Sequence, residues 1–371
     1  MNLVKTSYSP KDVTVLLKDL SSVMTPLTPR EREQAMLSGV HYSEMLPTEE
    51  APSQEYFNLY AHSLKYNAEK IAGYVETLAC QIHNLASDGA PILVSLARAG
   101  TPVGILIKRY LEKYFSTECS HYTISIIRDK GIDENAMEYI YNAEVIEKGN
   151  QVKNIFFIDG WTGKGAIKNQ LSAAVESLKQ KDSKWSNLHD WLFVLADPGS
   201  VTEYYATRED CLLPSACLNS TVSGLLSRSI LNKFVDTANG DFHGAVYFSD
   251  FEKIDCSNKF LREIAEHFKA PVGSSHIDSV TSFSCMSIID RICGAFHIED
   301  YLKVKPGIGE TTRVLLRRMP YMVLVNETTS LADPDIAHIL DLCKRKSVPI
   351  ERFALGNYKV CGIIREGKAD V

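Results

Sequence analysis

The sequence has no long hydrophobic run. Its apolar stretches, such as Ile92 to Leu96 and Met322 to Val325, are the length of a strand, whereas a membrane-crossing helix needs about 20 apolar residues. A soluble protein is therefore expected. The opening MNLVKTSYSPKD has no apolar core and no small-residue cleavage site, so no export signal is expected and the cytoplasm is the expected compartment. Nor is there a C-x-x-C pair. The nine cysteines (Cys80, Cys119, Cys211, Cys217, Cys256, Cys285, Cys293, Cys343 and Cys361) are scattered and odd in number. That pattern suits a reducing compartment and argues against a disulfide frame or a structural zinc site.

What is present is a chain of 371 residues, 45% of them hydrophobic, enough to bury a full core and to form two or three domains. Its net charge of −6 is unevenly spread. From Leu302 to Val371 twelve Lys and Arg stand against eight Asp and Glu, a balance of +4, so residues 1–301 carry −10. A basic tail on an acidic body hints at a polyanionic partner for the tail.

Two helix starts are predicted near the N-terminus, at Ser9-Pro10 with Asp12 behind it and at Thr28-Pro29-Arg30-Glu31, which has capping-box spacing. Between Pro52 and Ser87, Leu64, Ala68, Ile71, Val75, Leu78 and Ile82 recur in steps of four and three, which predicts one long amphipathic helix. From Pro91 onward short apolar segments (PILVSL, YTISII, NIFFI, WLFVLA) alternate with helical stretches, the signature of a parallel α/β sheet. In such sheets ligands bind at the carboxyl ends of the strands. The predicted organisation is an N-terminal helical segment over 1–88, an α/β domain over 89–240, a helical connector over 241–301 and a final α/β unit over 302–371 with YMVLV and KVCGIIR as strands.

The segment FFIDGWTGKGAI (Phe156 to Ile167) ends a strand in Asp159 and follows it with Gly160, Trp161, Thr162, Gly163, Lys164 and Gly165. It fails as a Walker loop, because the spacing and the magnesium-binding hydroxyl are both missing. Backbone N–H groups in such a turn, at the positive end of a helix, cradle a phosphate. The acid before it would repel that phosphate unless a ribose lay between them. This segment resembles the diphosphoribose-binding motif of type I phosphoribosyltransferases, although a glycine, Gly160, stands where those enzymes carry a second acid. Upstream, Ala97, Arg98, Ala99, Gly100 and Thr101 resemble the pyrophosphate loop of the same enzymes, and Arg128 to Gly131 fall where they have a mobile loop.

The resemblance widens along VSLARAGTPVGILIKRY, HYTISIIRDKGIDENA and LPSACLNSTVSGLLSR. The chain resembles a bacterial family encoded near tellurite-resistance and stress-response genes, in which a phosphoribosyltransferase domain precedes a Pelota-type RNA-binding domain of the L7Ae/L30e fold. Some members carry the label cysteine protease StiP. What this resemblance implies is a magnesium-dependent transferase that moves phosphoribosyl from phosphoribosyl diphosphate (PRPP) to a base-like acceptor. Asp159, Arg128 and Lys130 would be catalytic, residues 97–101 and 159–165 would hold PRPP, and Mg2+ would be held mainly by PRPP with Asp159 at hand. Asn219, Ser220, Ser223 and Arg228 would face the acceptor, with plain helix capping as the other explanation. In the tail, Lys305, Gly307, Gly309, Glu310, Thr311, Thr312, Arg313 and Arg317 would meet RNA, with a capped helix carrying a solvated basic face as the alternative. A homodimer is also implied. Two rival readings remain: a catalytically degenerate nucleotide sensor that binds RNA, and a cysteine peptidase using Cys217 and His243.

Overall fold

The computed structural model describes residues 2–86, 89–271 and 285–364. The first predicted helix is absent. Residues 9–13 form a turn closed by the Asp12 and Val13 amides on the Ser9 carbonyl, leading into the edge strand β1 (Thr14–Val15) and then β2 (Lys18–Asp19). The second is present as α1 (Pro29–Leu37), with both halves of the capping box between Thr28 and Glu31 formed. The long amphipathic helix is α2 (Gln54–Leu85), and all six periodic residues from Leu64 to Ile82 are buried on it.

The α/β body follows as β3 (Ile92–Leu96), α3 (Gly100–Phe115), β4 (Ser120–Ile124), the β5 (Ile126–Ile127) and β6 (Gly131–Ile132) hairpin, α4 (Glu134–Ile140), β7 (Ile155–Trp161), α5 (Ala166–Lys181), β8 (Leu192–Ala196) and β9 (Tyr204–Thr207). The main sheet has the order β1-β4-β3-β7-β8-β9 with every pairing parallel. Its strands are buried on both faces. Phe156, Ile158 and Leu93 join the core under α2 and α3, while Ile155, Phe157, Ile92 and Val94 join the core under α4 and α5. The mixed α/β class with a parallel sheet is thus as expected. One boundary differs: β7 does not end in Asp159 but runs through Gly160 to Trp161, because Asp159 and Trp161 still pair with Val194 and Ala196. The turn proper is residues 162–165.

After β10 (Gly244–Ala245), which pairs with β2, come α6 (Ser257–Ala265) and α7 (Cys285–Phe296). Part of the predicted connector, 272–284, lies outside the described residues, as do the last residues of the tail. The final unit is β11 (Val304–Pro306), α8 (Ile308–Arg317), β12 (Pro320–Asn326), α9 (Ala337–Arg345), β13 (Ile350–Phe353) and β14 (Val360–Ile364). Its sheet has the order β11-β14-β12-β13, antiparallel except for the β12–β13 pair. α7 packs on one face, while the α8–α9 side is continuous with the core of the main sheet through Leu212, Leu213 and Ala216. Asp210 pins this junction: its buried carboxylate accepts from the amides of Ile308 (2.8 Å) and Lys359 (2.9 Å).

Candidate functional site

Where β3 and β7 end side by side, their loops nearly touch. A side chain at Gly100 would stand 2.2 Å from the Ile158 carbonyl oxygen, so only glycine lets α3 start there. The 162–165 turn then enters α5 through Gly165 at φ +81°. The Thr162 hydroxyl is not free for a ligand, because it donates to the buried Asp197 carboxylate, itself paired with Arg208. Gly163 offers its carbonyl to the Tyr358 hydroxyl of the final unit at 2.9 Å. Across from this turn lies the start of α8, and between them opens a cleft of about 510 Å3 lined by Ala99, Arg128, Asp159, Trp161 to Lys168, Lys305, Glu310 and Arg313 among others.

The cleft is cationic. Burial lowers Lys164 to about 8, helped by the charge of Lys305, and burial also lowers Lys305. Lys164 donates to the Tyr301 carbonyl at 2.8 Å, and the Arg313 guanidinium lies 4.8 Å above the Trp161 ring while contacting Glu310 at 3.2 Å. Asp159 sits on the floor. Burial pushes its carboxyl up to about 7, against the Gly160 amide that donates to it at 2.7 Å and the charge of Arg313.

Several residues named from sequence are elsewhere or already engaged. Arg98 does not reach the cleft but donates to the Leu226 carbonyl (2.6 Å) and to Glu49 (3.2 Å). Thr101 is buried against Thr123. Lys130 is exposed on the β5–β6 hairpin, away from the cleft lining that Arg128 joins. Ser220 donates its amide and hydroxyl to Glu49, Ser223 donates to the Asn219 carbonyl, and Arg228 lies 4.7 Å over the Tyr42 ring. These four do not hood the cleft. In the final unit Lys305, Glu310 and Arg313 line the cleft, whereas the Thr311 and Thr312 hydroxyls are spent inside on Lys305, Ile308 and His338. Gly307, at φ +94°, donates to the Val360 carbonyl; Gly309 packs against Ala216 and Trp161. Arg317 ends α8, and its side chain lies outside the described residues. Tyr42, Glu49, Asp197, Asp210 and Tyr358 were not legible as site residues, since each reaches the site from a distant part of the chain and no local spacing marks it.

Cys217 is fully buried in the core shared with α2, and the His243 ring bonds the Ser125 hydroxyl at 2.8 Å through Nδ1 while burial lowers it to about 4. Burial also raises the part-buried thiols Cys211, Cys256 and Cys293, Cys211 to about 12. Among the described residues no group of three or more His, Cys, Asp or Glu stands together as a metal cage.

Comparison with known proteins bears directly on the catalytic reading. Residues 6–265 match the family described as tellurite-like stress resistance cysteine protease StiP, and residues 282–366 match the PELOTA RNA binding domain. A protein of Acinetobacter baylyi named "Cysteine protease StiP" is 30% identical over 354 residues, 91% of this chain and 88% of the relative. These names overturn the phosphoribosyltransferase reading and, with it, PRPP, the base acceptor and the magnesium that reading required: family and relative alike are named cysteine proteases. The geometry agrees on several counts, for Arg98 is turned away, the Thr162 hydroxyl is spent on Asp197, and burial makes Asp159 a weak acid where a ribose-binding carboxylate should be firmly charged. The peptidase, ranked last from sequence, is the activity the family name carries. Matched over most of its length, the chain belongs to the StiP family.

Proposed function

We propose that the chain binds RNA in the cleft between the 162–165 turn and the start of α8, as part of the stress-resistance role in the family's description. The observation that carries this reading is the direction of the RNA-module turn: Lys305 and Arg313 open onto the cleft, where Lys164 and Arg128 meet them from the α/β body. Five cations, these four and Lys168, against Asp159 and Glu310 leave a positive groove, Asp159 is close to half-protonated near neutrality, and Trp161 supplies an aromatic face beside it. Titrating fluorescent single-stranded RNA at salt from about 50 to about 200 mM should show affinity falling steeply and log-linearly. Lys164→Gln and Lys305→Gln should each make that slope shallower by about 1. Binding indifferent to salt and to both substitutions would refute it.

The family name favours a second reading, a thiol peptidase. For that chemistry a thiolate must form, and Cys217 would have to be uncovered from the core for its thiol to meet a substrate. The test is hydrolysis of a peptide library with and without iodoacetamide, followed by mass-spectrometric mapping of the alkylated cysteine. Alkylation-sensitive hydrolysis that tracks one mapped cysteine supports it. Hydrolysis that survives alkylation, or none at all, rejects it.

A further inference from the structure

One lysine of the cleft is held unlike its neighbours. Lys164 is half-buried in the turn that opens α5, and its ammonium donates to the Tyr301 carbonyl at 2.8 Å, with the Tyr301 ring 4.9 Å away. No carboxylate among the described residues stands within ion-pair distance of it; Asp300 acts on it only from farther off. Other partly shielded lysines have such a partner. Lys168, one turn on, meets Asp190 at 2.6 Å, and Lys359 meets Asp333 at 3.0 Å and Asp335 at 2.6 Å. A shielded ammonium with no counter-ion is costly as a cation. The carbonyl serves the neutral amine just as well, since one N–H still donates to it and the nitrogen lone pair is left over.

The rest of the cleft decides what meets that lone pair. Lys305, Arg313 and Arg128 line the same cavity of about 510 Å3, a size that suits a small molecule. Their charge disfavours a further cation at Lys164 and draws in an anion. The acids of the lining answer them only in part: Glu310 takes up Arg313 at 3.2 Å, and Asp159 accepts from the Gly160 amide. The shift of Lys164 to about 8 runs the same way, from burial first and Lys305 second. At about pH 7.5, about a quarter of such an amine is neutral, against about one in a thousand for an ordinary lysine. An amine freed of its proton and set among cations is a nucleophile for an electrophile that carries negative charge.

We propose that Lys164 is an acylation site whose donor is an acyl phosphate. The Nζ lone pair attacks the carbonyl carbon and an N–C bond forms. The bond from that carbon to the phosphate oxygen breaks, and the phosphate leaves with the electron pair. One ammonium proton goes to solvent before attack, and a second goes with the departing phosphate, whose charge Lys305 and Arg313 favour. The product is a neutral amide where a cation stood. Its effect on RNA rests on the RNA reading of the cleft: one phosphate contact is lost, so acylation turns RNA binding down.

The test treats the full chain with acetyl phosphate at about pH 7.5 and follows each lysine by peptide mass spectrometry. Lys164 should label at least about tenfold faster than the exposed Lys11 and Lys65, a smaller margin than the neutral fractions give because a less basic amine is also a weaker nucleophile. Inorganic phosphate should slow Lys164 and leave Lys11 and Lys65 unchanged. An uncharged donor, the N-hydroxysuccinimide ester of acetic acid, should prefer Lys164 less, and Lys305→Gln should weaken the preference of acetyl phosphate; the competition by phosphate needs no variant and decides the matter if that one misfolds. Labelling of Lys164 no faster than of Lys11 and Lys65 overturns the proposal. A preference that neither phosphate nor the uncharged ester alters overturns it too, because the donor is then not selected by its charge. Selective labelling that leaves RNA affinity unchanged upholds the acylation site and counts against RNA in the cleft, whereas weaker RNA binding by Lys164→Gln without selective labelling does the reverse.

Discussion

Two glycine-bearing turns face each other across the cleft, and they are built on opposite plans. In the 162–165 turn that opens α5, no described residue accepts from the amides of Gly163, Lys164 or Gly165, so the backbone itself is on offer. In the turn that opens α8, the first two amides are already answered, Gly307 by the Val360 carbonyl and Ile308 by the Asp210 carboxylate, so the side chains carry more of the reach. A ligand bridging the two is gripped by backbone on one side and by Lys305 and Arg313 on the other. Similar sequence texture, a run of small residues before a helix, therefore conceals two different chemistries, and what distinguishes them is an acid that each turn finds elsewhere in the fold.

The sharpest way to break the contrast is to remove the acid from the second turn. Asp210→Ala strips the acceptor from two buried amides at the junction between the α/β body and the final unit. At about 1–3 kcal/mol per orphaned donor, the loss of stability should be about 2–6 kcal/mol, read as a lower urea midpoint. Asp210→Asn keeps one acceptor oxygen and should lose roughly half as much. A variant as stable as the wild type would mean the junction is not held by this carboxylate.

The acid beside the first turn behaves differently, and pH reveals it. Burial raises Asp159 to about 7, so folding takes up a proton that the unfolded chain, titrating near 4, has already lost. That contribution is complete at low pH and disappears as pH rises through about 7. Asp159→Asn still accepts from the Gly160 amide but cannot ionise. At pH near 5 the variant and the wild type should be about equally stable; near pH 8 the variant should be more stable by about 1–2 kcal/mol, less than full burial would give because the cleft admits water. Denaturation curves at both pH values check this, and an unchanged difference between them would show that Asp159 is an ordinary solvated acid.

Much of the framework was legible because it is local. The 3.6-residue period of Leu64 to Ile82 and the strand-sized runs around Val94, Phe157 and Val194 report burial directly, and α2, β3, β7 and β8 follow within a residue or two. Failures came where partners at long range decide. Ser9-Pro10 reads as a helix start, yet the next residues peel off to pair with β4. YTISII reads as one strand, but it breaks at Ser125, whose carbonyl takes the Asp133 amide and whose hydroxyl meets His243. At the cleft, the loops after β3 and β7 do approach each other, while the Arg98 and Thr162 side chains are engaged by Glu49 and Asp197, 49 and 35 residues away. A resemblance to a known motif says which backbone turns approach each other. It does not say which side chains have been recruited elsewhere, and that decides the chemistry.

Arg313 sharpens the comparison from the side-chain half of the cleft. Its guanidinium stacks on Trp161 and leaves its Nε buried without an acceptor. Arg313→Ala should cost about tenfold in RNA affinity, a charge-assisted contact of about 1.4 kcal/mol, and make the salt dependence shallower by about 1. Equal affinity at every salt concentration would remove this arginine from the interface.

The smallest expected effect tests whether the backbone half is preorganised by its neighbour. The Tyr358 hydroxyl, two residues before β14, donates to the Gly163 carbonyl at 2.9 Å and so tethers the peptide between Gly163 and Lys164. Tyr358→Phe keeps the buried ring and removes one hydrogen bond, leaving the carbonyl free to turn toward water in the cleft, so stability should fall by only about 0.5–1 kcal/mol. The local consequence should be larger than the global one, since a turn released from its tether samples orientations in which its amides no longer converge. Amide exchange should therefore speed up at 163–165 and stay unchanged at 307–310, where the Asp210 clamp is untouched. Faster exchange in both turns, or in neither, would mean that the two are not independently held and that the difference in their construction has no functional weight.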